Sequence, residues 1–215
     1  GLAERIDELR EAGLARVNIS IDSLRPERFA ALTHRDRLAD VLAGIRAAAA
    51  SGLRPLKLNA VAMRGVNDDE LVALVELALE HGAEMRFIEQ MPLDAGHTWD
   101  RTSLLTRQEI LGVLGERWTL TPAASRGAAP AERWVLDGGP HAVGVVASVT
   151  APFCGACNRL RLTADGQLRS CLFATDELDV RTVLRSSGDP VERDAAVDAV
   201  LRRCVEGKKA GHAIG

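Results

Sequence analysis

Aromatic side chains are scarce in this sequence: 215 residues hold four Phe, three Trp and no Tyr, 3% in all. Stacking platforms for single-stranded nucleic acid depend on such rings. A formal net charge of −3 with scattered acids gives no basic surface for counterion release either, so nucleic acid is not an expected partner. No run approaches the roughly 18 consecutive apolar residues of a membrane span. The opening GLAERIDELREAG reads as an amphipathic helix, not a signal peptide, so no membrane is expected and the expected compartment is the cytoplasm. A Walker-type phosphate loop is missing and the five His form no metal-binding pair, which removes support for kinase and GTPase readings. Cysteine is also sparse, at four residues: 154, 157, 171 and 204. With three of them closely spaced in a chain of this size, metal ligation is a better reading than a disulfide framework.

What is present is an α/β texture, 47% hydrophobic and 27% charged. From Leu2 to about Gln90 an apolar-periodic helix, a Gly break and a short strand recur. Helices are expected at 2–12, 38–51 and 68–81, breaking at Gly13, Gly52 and Gly82, with strands at 16–22, 55–61 and 84–90. Strands that alternate with helices imply parallel neighbours. These strands are not plain apolar runs. Val17, Ile19 and Ile21 fall on one side and Asn18, Ser20 and Asp22 on the other, and Lys57, Asn59 and Arg86 interrupt the next two strands. A curved parallel sheet with a polar cavity inside satisfies this pattern, as does an open sheet with a solvated edge. After Met91 the texture changes to a loop over 91–103, a helix near 106–115 and strands near 117–121, 132–137 and 142–149, with a flexible connection at 122–131. Closing helices are expected at 178–186 and 190–206. The expected division is 1–95 and 96–215. Three βα units are too few for a closed eight-unit barrel of about 250 residues. The sequence starts in mid-repeat and ends on GKKAGHAIG, and so reads as a fragment.

The strongest chemical signal is FCGACNRLRLTADGQLRSCLF, in which Cys154, Cys157 and Cys171 form C-x2-C-x13-C. Asp165-Gly166 is a favoured two-residue turn, so strands 159–163 and 167–171 fold back and return Cys171 to the first two cysteines. Three thiolates are one short of the usual four for zinc or an iron-sulfur cluster. Either Cys204 closes a zinc site or one metal position stays open. Arg159 and Arg161, two apart on a strand, point to one face and suit phosphate oxygens. Lys57 adds a third cation, unless it merely pairs with Asp22, and Met91 at a strand end is equally a packing residue.

These residues resemble the MoaA family of GTP 3′,8-cyclases, radical S-adenosylmethionine enzymes of molybdenum cofactor biosynthesis. The likeness rests on RVNISIDSL, KLNAVAMRGVNDDE, MRFIEQMPL and GVVASVTAPFCGACNRLRLTADGQLRSCLF and on the distances between them, and it covers nearly the whole sequence. It implies an incomplete, TIM-like (β/α)6 barrel, of which residues 1–95 are the C-terminal part, followed by a β-rich region with closing helices, 96–215, that carries iron-sulfur and GTP sites. It implies that Cys154, Cys157 and Cys171 hold a 4Fe-4S cluster whose open iron takes the guanine of GTP. Lys57, Arg159, Leu160 and Arg161 are then GTP contacts, Ser20 and Met91 contacts to S-adenosyl-L-methionine, and Arg86 a lining residue of the same cavity. In that family a 5′-deoxyadenosyl radical removes hydrogen from C3′ of GTP and the ribose radical attacks C8. The resemblance also allows a homodimer. One departure is large: the C-x3-C-x2-C motif of the family's radical-generating cluster is absent from these residues, so this chain alone is expected to be inactive. A peptide-modifying radical S-adenosylmethionine maturase with an auxiliary cluster, and a zinc-stabilised binding module without catalysis, are the competing readings.

Overall fold

A computed structural model describes residues 1–93, 99–124, 126–186 and 188–211. The centre of the 91–103 loop, residue 125 of the 122–131 connection and the last four residues of the C-terminal segment lie outside the described residues. By its internal contacts the chain groups into Gly1–Ala151 and Pro152–Gly215.

The first unit opens with α1 (Leu2–Glu11), β1 (Val17–Ser20), α2 (Pro26–Thr33) and α3 (Leu38–Ala50), followed by β2 (Leu56–Ala62), α4 (Leu71–Glu80) and β3 (Glu84–Glu89). It continues through α5 (Arg107–Gly115), β4 (Leu120–Pro122), β5 (Glu132–Leu136) and β6 (Ala142–Val146). The strands form one sheet in the order β1-β2-β3-β6-β5-β4. β1, β2, β3 and β6 run parallel, while β5 and β4 are added antiparallel. The protein is thus mixed α/β around a parallel-strand sheet, as the alternating pattern requires.

Gly52 and Gly82 follow their helices at φ 78° and 59°, the left-handed conformation that ends a helix at little cost only for glycine. Helix α2 escapes a periodicity search because it has only eight residues. It is specified locally, by Pro26 in its first turn and by Phe29, which is 4% exposed. One face of the sheet is apolar and buried: Leu56, Leu58, Met85, Phe87, Val143 and Val145 pack with Ile45, Leu74 and Ile110 of the helices in a single core. Each such side chain contributes about 1.5–3 kcal/mol on burial. The alternate residues form the polar face.

In the second unit β7 (Arg161–Leu162), β8 (Gln167–Arg169) and β9 (Leu178–Asp179) form an antiparallel sheet in that order, followed by α6 (Arg181–Arg185) and α7 (Pro190–Glu206). A small core of Leu168, Val180 and Cys204 lies beneath Leu160, Leu178 and Val200. Helix α7 begins where its sequence signals it, with Asp189 accepting from the Val191 N–H at 2.9 Å and Pro190 in the first turn.

Three local expectations are corrected. The stretch 178–186 is not one helix: Leu178 pairs with Leu168 in the sheet, and the short helix begins only at Arg181, with Asp179 accepting from the Thr182 N–H at 2.9 Å. Strand 117–121 starts later, at Leu120, because the Arg117 and Trp118 N–H groups still donate to Leu114 O of the preceding helix. The hairpin loop has three residues, 164–166, not two. Thr163 and Gln167 are joined by the Thr163 N–H to Gln167 O at 2.9 Å and the Gln167 N–H to Thr163 Oγ1 at 2.9 Å. Gly166 closes the loop at φ 87°, where a Cβ would lie 2.4 Å from Arg181 Cβ.

Candidate metal and nucleotide sites

Cys154 and Cys157 flank a single 3-10 turn, Cys154–Ala156, closed by the Cys157 N–H donating to Cys154 O at 3.1 Å. Cys171 follows β8, two residues past Arg169. All three are half-buried and line one cavity, together with Ser170, Phe173, Asp176 and Lys208. The hairpin therefore does what its turn residues imply and returns the third thiol to the first two. Cys204 does not join them. It is 3% exposed, packed among Leu168 and Val180, and does not line the cavity. Among the described residues no three His, Cys, Asp or Glu are grouped to hold a single metal ion. Three thiols sharing one cavity are one short of the usual four ligands of a closed zinc or iron-sulfur site.

The electrostatics of the two turn cysteines diverge. Burial, then the neighbouring Cys171 and Cys157, push the Cys154 thiol up. Burial also acts to raise Cys157, but the Arg159 backbone N–H, the Arg159 guanidinium and the Lys208 charge outweigh it and hold that thiol below its ordinary range. The guanidinium Nη2 donates to Cys157 Sγ at 3.3 Å, and the group lies over the Phe153 ring at 4.7 Å. Arg159 precedes β7 and is turned towards the sulfur. Arg161 is exposed and stands directly opposite Arg169, which is held by Glu177 through Nε at 2.7 Å. The two arginines thus do not act as the matched strand pair that their spacing suggests. Leu160 between them packs on the small core and offers only its backbone.

In the first unit, register aligns the polar face into rows. Asn18, Lys57 and Glu84 form one; Ser20, Asn59, Arg86 and Gly144 form the next. Ser20 is exposed, Lys57 and Arg86 half-buried, and Met91 half-buried just beyond β3. Glu84 accepts from Arg86 Nε at 2.9 Å and from Arg133 Nε at 2.8 Å. Burial and then the Arg86 charge hold the Lys57 ammonium below the ordinary lysine range, against the opposing pull of Glu84. Among the described residues no ion pair joins Lys57 to Asp22, whose Oδ1 accepts from the Val61 N–H at 2.7 Å. Among the described residues Asn59 Oδ1 is buried without a hydrogen-bond partner, so this row has an acceptor to offer a bound polar group.

Buried polar side chains at the carboxyl ends of the strands were not singled out from the sequence. Asn67, fully buried, donates to Asp22 O at 2.8 Å and Val61 O at 2.9 Å and accepts from the Met63 N–H at 2.8 Å, joining the loops after β1 and β2. Glu70 accepts from Ser23 Oγ and the Leu24 N–H, each at 2.7 Å, and from Arg28. Glu89, also fully buried, accepts from the N–H groups of Arg107, Val149 and Thr150 at 2.8 Å each and from the Thr150 hydroxyl. Ligand loops of parallel sheets sit at these ends. The available signal was acidic and amide residues placed where an apolar strand gives way to a loop, in GVNDDE and FIEQ.

Residues 1–78 match the Radical SAM superfamily, and residues 83–214 match Molybdenum Cofactor Synthesis C. The chain is 54% identical over 213 residues to a protein of Streptomyces coelicolor named GTP 3′,8-cyclase, covering 98% of this chain and 61% of that protein. It is 50% identical over 219 residues to GTP 3′,8-cyclase 2 of Mycobacterium tuberculosis, and 50% identical to GTP 3′,8-cyclase of Rhodococcus opacus, in each case over all of this chain and 60% of the relative. The chain thus spans about three fifths of the length of the curated relatives it matches.

Proposed function

This chain belongs to the Molybdenum Cofactor Synthesis C family, and from that membership we propose that the protein acts as a GTP 3′,8-cyclase of molybdenum cofactor biosynthesis, using S-adenosyl-L-methionine as its radical source. The observation that carries the reading is the cavity shared by Cys154, Cys157 and Cys171, with Cys204 packed elsewhere. Cys154, Cys157 and Cys171 would hold a 4Fe-4S cluster, which would supply a Lewis-acidic position for a purine nitrogen or oxygen. This chain's own groups bind and orient the ligands. Arg159 stabilises the Cys157 thiolate, while Arg161, exposed beside the hairpin, and the backbone of Leu160 are GTP contacts. Lys57 is the further cation for the triphosphate; burial, and then the Arg86 charge, lower its affinity for a proton. Ser20 and Met91 contact S-adenosyl-L-methionine, and Asn59 Oδ1 is an acceptor available to a hydroxyl on the same row. Catalysis is then the positioning of two ligands whose reactive atoms must meet.

The finer architecture belongs to the same proposal. The parallel strands are part of an incomplete (β/α) barrel, of which residues 1–95 are the C-terminal part, and 96–215 carry the iron-sulfur and GTP region. The setting is cytoplasmic, with a homodimer as the assembly. No helix among the described residues is long and apolar enough to cross a membrane. Substituting Arg161→Ala in the cluster-loaded protein tests the phosphate role. Removing a charge-assisted hydrogen bond to phosphate weakens GTP binding by about 1.5–3 kcal/mol, roughly 10- to 150-fold. Unchanged affinity by equilibrium titration removes Arg161 from the site.

A further inference from the structure

We propose that Lys208 is a positioning residue of the cysteine cavity: its single ammonium clamps both chain segments that carry the thiols and holds a positive charge against them. The proposal rests on reading that cavity as the seat of an iron-sulfur cluster. Lys208 Nζ donates to Arg159 O at 2.7 Å and to Ser170 O at 2.6 Å. The first carbonyl lies two residues after Cys157 and the second immediately before Cys171. One side chain, 49 and 38 residues distant in sequence, therefore ties the outgoing and returning arms of the hairpin at the level of the sulfurs. The β7–β8 pairing spans only Arg161–Leu162 and Gln167–Arg169, so the ladder ends before it reaches the cysteines. Beyond that point the described hydrogen bonds between the arms run through this ammonium.

The position of Lys208 adds an electrostatic reason. It follows the C-terminus of α7 by two residues, and Gly207 and Lys208 both line the cavity. A helix C-terminus carries partial negative charge and is an unfavourable neighbour for thiolates or an anionic cluster. An ammonium at that end offsets the repulsion. Positive charge and hydrogen bonding near cluster sulfurs favour the more reduced, more negative state and so raise the reduction potential.

The test compares Lys208→Met and Lys208→Arg with wild type in the intact protein. Hydrogen exchange on metal-free protein reads the clamp: amides of residues 159–171 exchange faster in Lys208→Met and return towards wild type in Lys208→Arg. A redox titration of the reconstituted protein, followed by paramagnetic resonance, reads the charge: the cluster midpoint moves negative in Lys208→Met and is restored by Lys208→Arg. Should Lys208→Met not fold, Lys208→Gln, neutral but still able to donate to a carbonyl, carries the potential measurement. Unchanged exchange overturns the clamp, and an unchanged potential in a cluster-loaded neutral variant overturns the charge. A wild-type protein that takes up no cluster while Lys208→Met still loosens 159–171 defeats the cluster reading and leaves the clamp standing.

Discussion

Cys204 and Cys171 carry the same side chain to different ends. One is 3% exposed in an apolar core, and the other is half-buried at the wall of a cavity. Their spacing gave a partial warning, since 154, 157 and 171 fall on one hairpin while 204 falls on the inner face of a helix. Replacing Cys171 with Ala is expected to abolish iron uptake, whereas Cys204→Ala keeps the iron and costs on the order of 1 kcal/mol in stability through a small cavity. Iron counting after reconstitution and thermal unfolding separate the two. The convergence of the three thiols was legible because the turn residues at Asp165-Gly166 act locally. The orientation of Arg159 was not: its alignment with Arg161 assumed a strand that starts two residues later, and a sulfur and the Phe153 ring claim its guanidinium.

Elements were most legible where their signals were local. Helix α5 is introduced by Thr106-x-x-Glu109, a reciprocal cap in which Glu109 accepts from the Thr106 N–H at 2.9 Å and its hydroxyl at 2.7 Å. Those bonds, with Arg64, lower the Glu109 carboxyl to about 2. Because the folded value lies below the unfolded one, near 4.3, the contribution is fully present above about pH 5 and is lost as pH falls towards about 2. Glu109→Gln is expected to cost about 1 kcal/mol at neutral pH, and the gap to wild type should close in denaturant unfolding at acid pH. The half-exposed Arg64 pair adds little. Long-range devices were illegible. Glu89 reads from sequence as one more strand-end acid, yet it serves three backbone N–H groups drawn from positions 107, 149 and 150. Gly144 reads as a weak point in a strand. Its place in the row is explained by close approach, since a Cβ there would lie 3.1 Å from Arg86 Cγ and 3.2 Å from Ala131 Cβ.

At the scale of the molecule, the alternating helix–strand pattern revealed the parallel order of β1, β2 and β3, because strands joined through helices return in parallel. It did not reveal that β6 would join β3 in parallel and carry β5 and β4 with it, since that pairing joins segments more than fifty residues apart. Residues 1–215 contain the C-x2-C-x13-C triad but no C-x3-C-x2-C motif. Purified alone and reconstituted, they are therefore expected to bind GTP without converting it, as product analysis by mass would register. On the proposed reading the triad holds a cluster with an iron open to the nucleotide. Anaerobic reconstitution with iron and sulfide, followed by GTP titration under paramagnetic resonance, tests it most directly. The predicted result is about four irons per chain and a cluster spectrum altered by GTP, whereas a chain that takes up no cluster and retains one tightly bound zinc contradicts the claim.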